Sequence, residues 1–183
     1  MKANKLWYAR EDDYKMPSEY MDGLIGNLYL INHPSYSAQE YVHDTDRGDY
    51  SSHQDFMEAL QRELGKGSVV LPVYMHVHGS VIISLDPFAC PWDSSWAGVM
   101  TYTPSEVRQA FGWQRISARR RKIAHENALE TFSMWKAWIE EDVYRVMLEH
   151  MDGEIELMDI CYGEIDLNYT LNSISHAYGI KAS

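Results

Sequence analysis

Leu71-Pro72-Val73-Tyr74-Met75-His76-Val77-His78-Gly79-Ser80-Val81-Ile82-Ile83-Ser84 runs, after two residues, into Pro87-Phe88-Ala89-Cys90-Pro91-Trp92-Asp93-Ser94. The first stretch alternates and is rich in β-branched residues, and Gly79-Ser80 is a plausible two-residue turn. It reads as a β-hairpin, with strands Val69 to His78 and Val81 to Leu85. The second stretch reads as an aromatic loop stiffened by two prolines, with Trp92 as a plug for the core and Asp93 and Ser94 bonding local backbone groups in a turn.

Working outward, Leu24 to Ile31 predicts a strand between the turn clusters Asp22-Gly23 and Asn32-His33-Pro34. Tyr36 to Asp49 is polar and reads as a loop. Ser52 is a helix cap, Phe56, Leu60 and Leu64 line one helical face, and Gly65 and Gly67 stop the helix. Ala97 to Tyr102 predicts a further strand. Thr103-Pro104-Ser105-Glu106 carries a capping box with proline in the first turn, so a short helix runs to about Gly112. A longer helix follows from about Ser117 to Ile139. Met151-Asp152-Gly153-Glu154 lies between two apolar runs and signals a hairpin of Val143 to Leu148 with Ile155 to Ile160. A helix continuing through Leu148 is the competing reading. The pattern is α+β: an antiparallel β-sheet with two to three helices packed on it, in a single domain over residues 1–183.

The chain of 183 residues is long enough for a substantial core, and 13% of it is aromatic. No apolar run approaches the roughly 20 residues that span a bilayer. Met1-Lys2-Ala3-Asn4-Lys5-Leu6-Trp7 carries charge but no apolar signal core. A cytoplasmic protein without membrane contact is expected, and the two cysteines, Cys90 and Cys161, fit that compartment.

The net charge of -11 is unevenly spread. Residues 65–122 carry seven basic and three acidic side chains, whereas residues 123–183 carry three basic and twelve acidic. The acidic set comprises Glu140, Glu141, Asp142, Glu149, Asp152, Glu154, Glu156, Asp159, Glu164 and Asp166. A solvated face is its plain explanation; a partner-binding face is the functional one. Arg115, Arg119, Arg120, Arg121 and Lys122 form the one dense basic cluster, at a helix start where the dipole disfavours cations. Phosphate contacts would explain that placement, as would pairing with the chain's own carboxylates, Glu126 for example.

His76 and His78 would share one strand face, with His33, His43, His53, Asp86 or Asp93 able to complete a metal site. No further spacing supports such a site, and edge histidines are the ordinary reading. Cys90 would need a nearby base to act as a nucleophile; Pro87 and Pro91 argue for a structural loop instead. Glycine-rich phosphate loops, nucleophile elbows and zinc-ribbon spacings are absent, so no cofactor and no metal are assigned.

Several stretches together resemble a family of small proteins carried by phages and conjugative elements. Tyr20-Met21-Asp22-Gly23-Leu24-Ile25-Gly26 is similar to its Trp-Asp-Asn-Leu-Gly pattern, and Leu71 to His78 to its Leu-Pro-Leu-Tyr stretch. Pro87 to Ser94 resembles its Pro-Phe-Ser-Cys-Pro-Trp-Asp-Ser-Gly stretch. Asp142-Val143-Tyr144 and Asp159-Ile160-Cys161-Tyr162-Gly163 resemble its Gly-Asp-Val-Tyr-Gly and Asp-Ser-Cys-Trp-Gly segments. Ser95-Trp96 departs from the expected glycine region, and Val77 stands where the family prefers aspartate. The resemblance implies a mobile-element setting, in which small acidic proteins block restriction or CRISPR nucleases. Its most specific implication is a type II anti-CRISPR protein: a non-enzymatic inhibitor acting in the host bacterial cytoplasm. Its partner would be Cas9 or another nucleic-acid-processing effector, met by the acidic set, with weak nucleic-acid contact by the basic cluster. The alternatives are a small metal-dependent enzyme centred on His76, His78, Cys90 and Asp93, and a nucleic-acid-binding accessory protein using Arg119 to Lys122.

Overall fold

A computed structural model describes residues 3–11, 16–17, 23–36, 39–90 and 92–180. Met1 and Lys2, Tyr20 to Asp22, and Pro91 lie outside the described residues. The strands are β1 (Ala3–Arg10), β2 (Asn27–Tyr29), β3 (Val69–His78), β4 (Ser80–Ser84), β5 (Ser94–Tyr102), β6 (Val143–His150) and β7 (Ile155–Tyr162). The α-helices are α1 (His53–Leu64), α2 (Pro104–Phe111), α3 (Ala118–Ile139) and α4 (Glu164–Tyr178). The class is α+β, as expected. Among the described residues its strands form two antiparallel sheets rather than one, β1-β6-β7 and β2-β5-β3-β4, and four α-helices rather than two or three accompany them. The chain divides into two compact units, one of residues Pro17–Glu140 and one of Met1–Met16 with Glu141–Ser183.

In the Pro17–Glu140 unit the four-stranded sheet has apolar residues on both faces. Strand β5 lies inside the sheet and is buried along nearly its whole length. Its Ala97, Met100 and Tyr102 join Val73, Met75 and Ile83 beneath Ala124, Ala128, Phe132 and Trp135 of α3, residues at helical spacing. Trp96 and Val99 belong to a second cluster with Phe56 and Leu60 of α1. Fully burying one such side chain contributes about 1.5–3 kcal/mol, so these faces dominate the stability of the unit. Pro72 is tolerated within β3 because β4 pairs only with Tyr74 to His78, so no β4 residue stands opposite it.

Local signals close the elements. Ser52 accepts from the Asp55 N–H at the start of α1, and Thr103 and Glu106 complete their capping box. Gly112 ends α2 in the left-handed conformation. Gly79 alone turns the β3–β4 hairpin at φ 72°, and Ser80 already pairs with His78, so the turn is tighter than Gly79-Ser80 suggested. The strand expected over Leu24 to Ile31 is confined to Asn27–Tyr29, the residues that pair with β5.

The second unit places β6 between β1 and β7, with the expected hairpin turn at Asp152-Gly153 and no helical continuation through Leu148. Leu167 and Leu171 of α4 pack on Leu6, Val146, Leu148 and Cys161. Strand β1 and helix α4 have no counterpart among the sequence expectations. Leu167, Leu171 and Ile174, at i, i+4 and i+7, are the signal that marks α4. Among the described residues no helix is long and apolar enough to cross a membrane.

Candidate functional site

The histidine strand comes first because its chemistry is the most versatile. His76 and His78 do share a face, with ring centroids 6.3 Å apart. His76 Nδ1 lies 3.1 Å from Ser94 Oγ, and His78 Nδ1 lies 3.3 Å from Asp93 Oδ2. The Cys90 thiol donates to that same carboxylate oxygen at 3.9 Å. Asp93 therefore stands between His78 and Cys90, and among the described residues no imidazole is hydrogen-bonded to the thiol as a catalytic base would be.

Of the other proposed partners, His33 lines a hollow together with Asp93, whereas His43, His53 and Asp86 are engaged elsewhere. His33 Nε2 meets Ser95 Oγ at 3.2 Å, while His43 pairs with Glu63 at 3.6 Å and His53 stacks on Trp96. The Asp86 N–H donates to Ser84 Oγ within its own turn. Among the described residues no group of three histidine, cysteine or carboxylate side chains is placed to hold a metal ion. Trp92 corrects the sequence reading: it is 90% exposed. It sits in the irregular loop before β5, and the core position goes to Trp96, which the strand alternation turns onto Phe56.

The basic cluster separates into individual roles. Lys122 pairs with Glu126 at 3.7 Å, the internal pairing anticipated for this helix. Arg120 lies over the Trp113 ring, 5.0 Å from its centroid, and donates to the Arg115 carbonyl at 2.8 Å. Arg115 and Arg119 are exposed. Arg121 lines a cavity together with Lys66 and Arg108, neither of which the sequence reading had associated with it. The first turn of α3 carries no acidic residue to offset these cations.

The acidic residues also divide. Glu140 closes α3 in the Pro17–Glu140 unit, where it binds Lys136 and accepts from the Ile83 N–H at 3.1 Å; its role is structural. The other nine belong to the second unit. Glu141 adopts a left-handed φ of 57°. Asp142 accepts from Tyr144 Oη at 2.7 Å and pairs with Arg10 at 3.6 Å. Glu149 lies opposite Lys5 and Ile155 in the sheet. Glu156 meets the buried His150 at 3.0 Å. Asp152 organises the hairpin turn by accepting from the Glu154 N–H, and Asp159 accepts from the Ile160 N–H.

Glu164 and Asp166 occupy the first turn of α4, where carboxylates complement the helix dipole. Asp166 keeps part of its surface in water, but its carboxyl end accepts from the Tyr162 N–H at 2.9 Å. Desolvation there raises its pKa, the hydrogen bond pulls it down, and the charge of Asp159 adds to the rise. Interleaved with these carboxylates are large apolar side chains left in water: Met151, Ile155, Leu157, Ile165 and Tyr169. Ile165 is 89% exposed. The sequence reading picked out the acids and missed this apolar component, which only the placement of α4 and the edge strand β7 makes visible.

The chain matches no protein-family model, no curated protein and no solved structure.

Proposed function

We propose that the protein is a non-enzymatic binding protein of the anti-defence kind, engaging a host nucleic-acid-processing nuclease through its acidic second unit. Cas9 is the first partner to test. One observation carries the reading: the unit leaves large apolar residues in water among its carboxylates, Ile155 and Leu157 on the sheet face away from α4, and Ile165 and Tyr169 beside Glu164 on the outer side of α4. A purely solvating acidic face has no need of Ile155, Leu157, Ile165 and Tyr169 in water. An interface uses both: the apolar anchors supply burial, and the acids choose a basic partner and speed encounter. A nuclease groove that holds nucleic acid is such a basic surface. The resemblance to proteins of phages and conjugative elements supplies the setting and the host cytoplasm as the place.

The test is retention of a Cas9–guide complex, and separately of a restriction nuclease, on the immobilised protein at low and high salt. Retention that weakens with salt is expected, because exposed charges are screened over about 8–10 Å near physiological ionic strength. The triple substitution Glu154→Lys, Glu164→Lys and Ile165→Ser should abolish it. Retention unaffected by that variant would remove these residues from the interaction, and failure to retain either nuclease would remove the anti-defence reading.

A further inference from the structure

The geometry points to a binding site, on the Pro17–Glu140 unit, for a phosphate monoester carried on a compact apolar body. A cavity of about 350 Å³ opens between the start of β3, the end of β5, α2 and α3. Its interior is apolar: Tyr102, Val107 and Ala124, each under a tenth exposed, form the inner wall. Three cations stand at its margin, Lys66, Arg108 and Arg121, drawn from three separate stretches of sequence. Among the described residues none of the three has a carboxylate partner; Arg108 makes only a 3.3 Å bond to the Pro104 carbonyl. A protein of net charge -11 thus gathers three such cations around one apolar hollow. The carboxylate nearest in sequence, Glu106, is committed to the Thr103 N–H and to Asn27.

The ligand chemistry follows from that division. An apolar interior selects a ring or short hydrocarbon, and the volume lies at the small end of the roughly 300–1,000 Å³ of small-molecule sites. Three cations suit a group carrying about two negative charges, as a phosphate monoester does at neutral pH. Two arginines present planar donor forks to its oxygens. A shallower hollow containing Arg62 and Glu58 adjoins the cavity at Lys66 and Gly67, giving room for a polar extension of the ligand. Arg121 thereby acquires a reason for standing in the first turn of α3, where the helix dipole opposes it.

The experiment is calorimetric titration of the full chain with phenyl phosphate and with adenosine monophosphate, against inorganic phosphate, phenol and adenosine as controls. At least one of the two esters should bind about tenfold or more tightly than its separate parts, the worth of one charge-assisted hydrogen bond. Preference for adenosine monophosphate would name nucleotides as the source, and preference for phenyl phosphate other phosphate esters. The double variant Arg108→Gln/Arg121→Gln should weaken that binding at least tenfold at an unchanged unfolding midpoint, since both side chains are exposed. Three results would overturn the site: no binding of either ester at millimolar concentration, inorganic phosphate binding as tightly as the esters, or binding indifferent to the double variant.

Discussion

Gly98 of β5 lies directly against the carbonyl of Tyr29 in β2. A β-carbon at Gly98 would overlap the Tyr29 oxygen and stand 2.9 Å from the Ile31 nitrogen, and all of these neighbours are backbone. The contact lets the short strand β2 dock on an otherwise side-chain-filled β5. Gly98→Ala should therefore destabilise the protein by about 3 kcal/mol or more, at the upper end of overpacking costs. Urea unfolding measures this; a change below about 1 kcal/mol would mean that β2 can shift without loss.

Glu106 has two duties and Thr103 one. The Glu106 carboxylate accepts from the Thr103 N–H and from Asn27 Nδ2, both at 2.6 Å, whereas Thr103 Oγ1 accepts only from the Glu106 N–H at 3.2 Å. Thr103→Ala should cost about 1 kcal/mol, the usual worth of a cap. Glu106→Ala should cost more, about 2 kcal/mol, because it also strands the Asn27 amide. Equal losses in denaturant titrations would show that the link to Asn27 contributes nothing.

The two thiols should differ sharply in reactivity. Burial pushes Cys161 up to about 11, with the charges of Asp166 and Asp159 adding to the rise and a hydrogen bond with Thr170 opposing it. Cys90 lies in the loop before β5 and is only half-buried. A disulfide-exchange reagent at neutral pH should modify one thiol promptly and the second only after denaturant is added. Two fast thiols in the folded protein would contradict the packing of Cys161 under α4.

Acid should loosen the segment at residues 43–45 from α1. The Glu63 carboxylate accepts from the Asp44 N–H at 3.1 Å, from the Thr45 N–H at 2.8 Å and from Thr45 Oγ1 at 2.5 Å. Desolvation alone would raise its pKa; the Thr45 and Asp44 hydrogen bonds and the nearby His43 outweigh it and leave Glu63 below the ordinary value. A depressed carboxylate contributes stability that is complete above its unfolded pKa and lost as pH falls through the folded one. Glu63→Gln should cost about 1 kcal/mol at neutral pH and should flatten part of the stability loss on acidification. An unchanged acid profile in the variant would place that loss elsewhere.

What was legible in the sequence had its cause within a few residues. Ser52 with Phe56, Leu60 and Leu64 specifies α1, Thr103-Pro104 with Glu106 specifies α2, and Asp152-Gly153 specifies the last hairpin. Strand β1 was not legible because its pattern acquires meaning only opposite β6, far along the chain. Helix α4 begins at Gly163, which offers no side-chain cap, and its exposed Ile165 and Tyr169 blur the amphipathic stripe. Of the site residues, Arg121 announced itself as a cation in an unfavourable place. The cavity it lines did not, since Lys66 and Arg108 reach it only through the tertiary fold.

The unit that joins residues 1–16 to residues 141–183 has a consequence for how the protein is made. Strand β1 is synthesised well before β6, its partner in the sheet among the described residues. At about 5–20 residues per second it waits on the order of ten seconds. Throughout that interval Leu6, later fully buried, has no strand to lie beside. Until β6 is made, the nascent chain thus carries an unpaired strand open to pairing with a neighbouring chain.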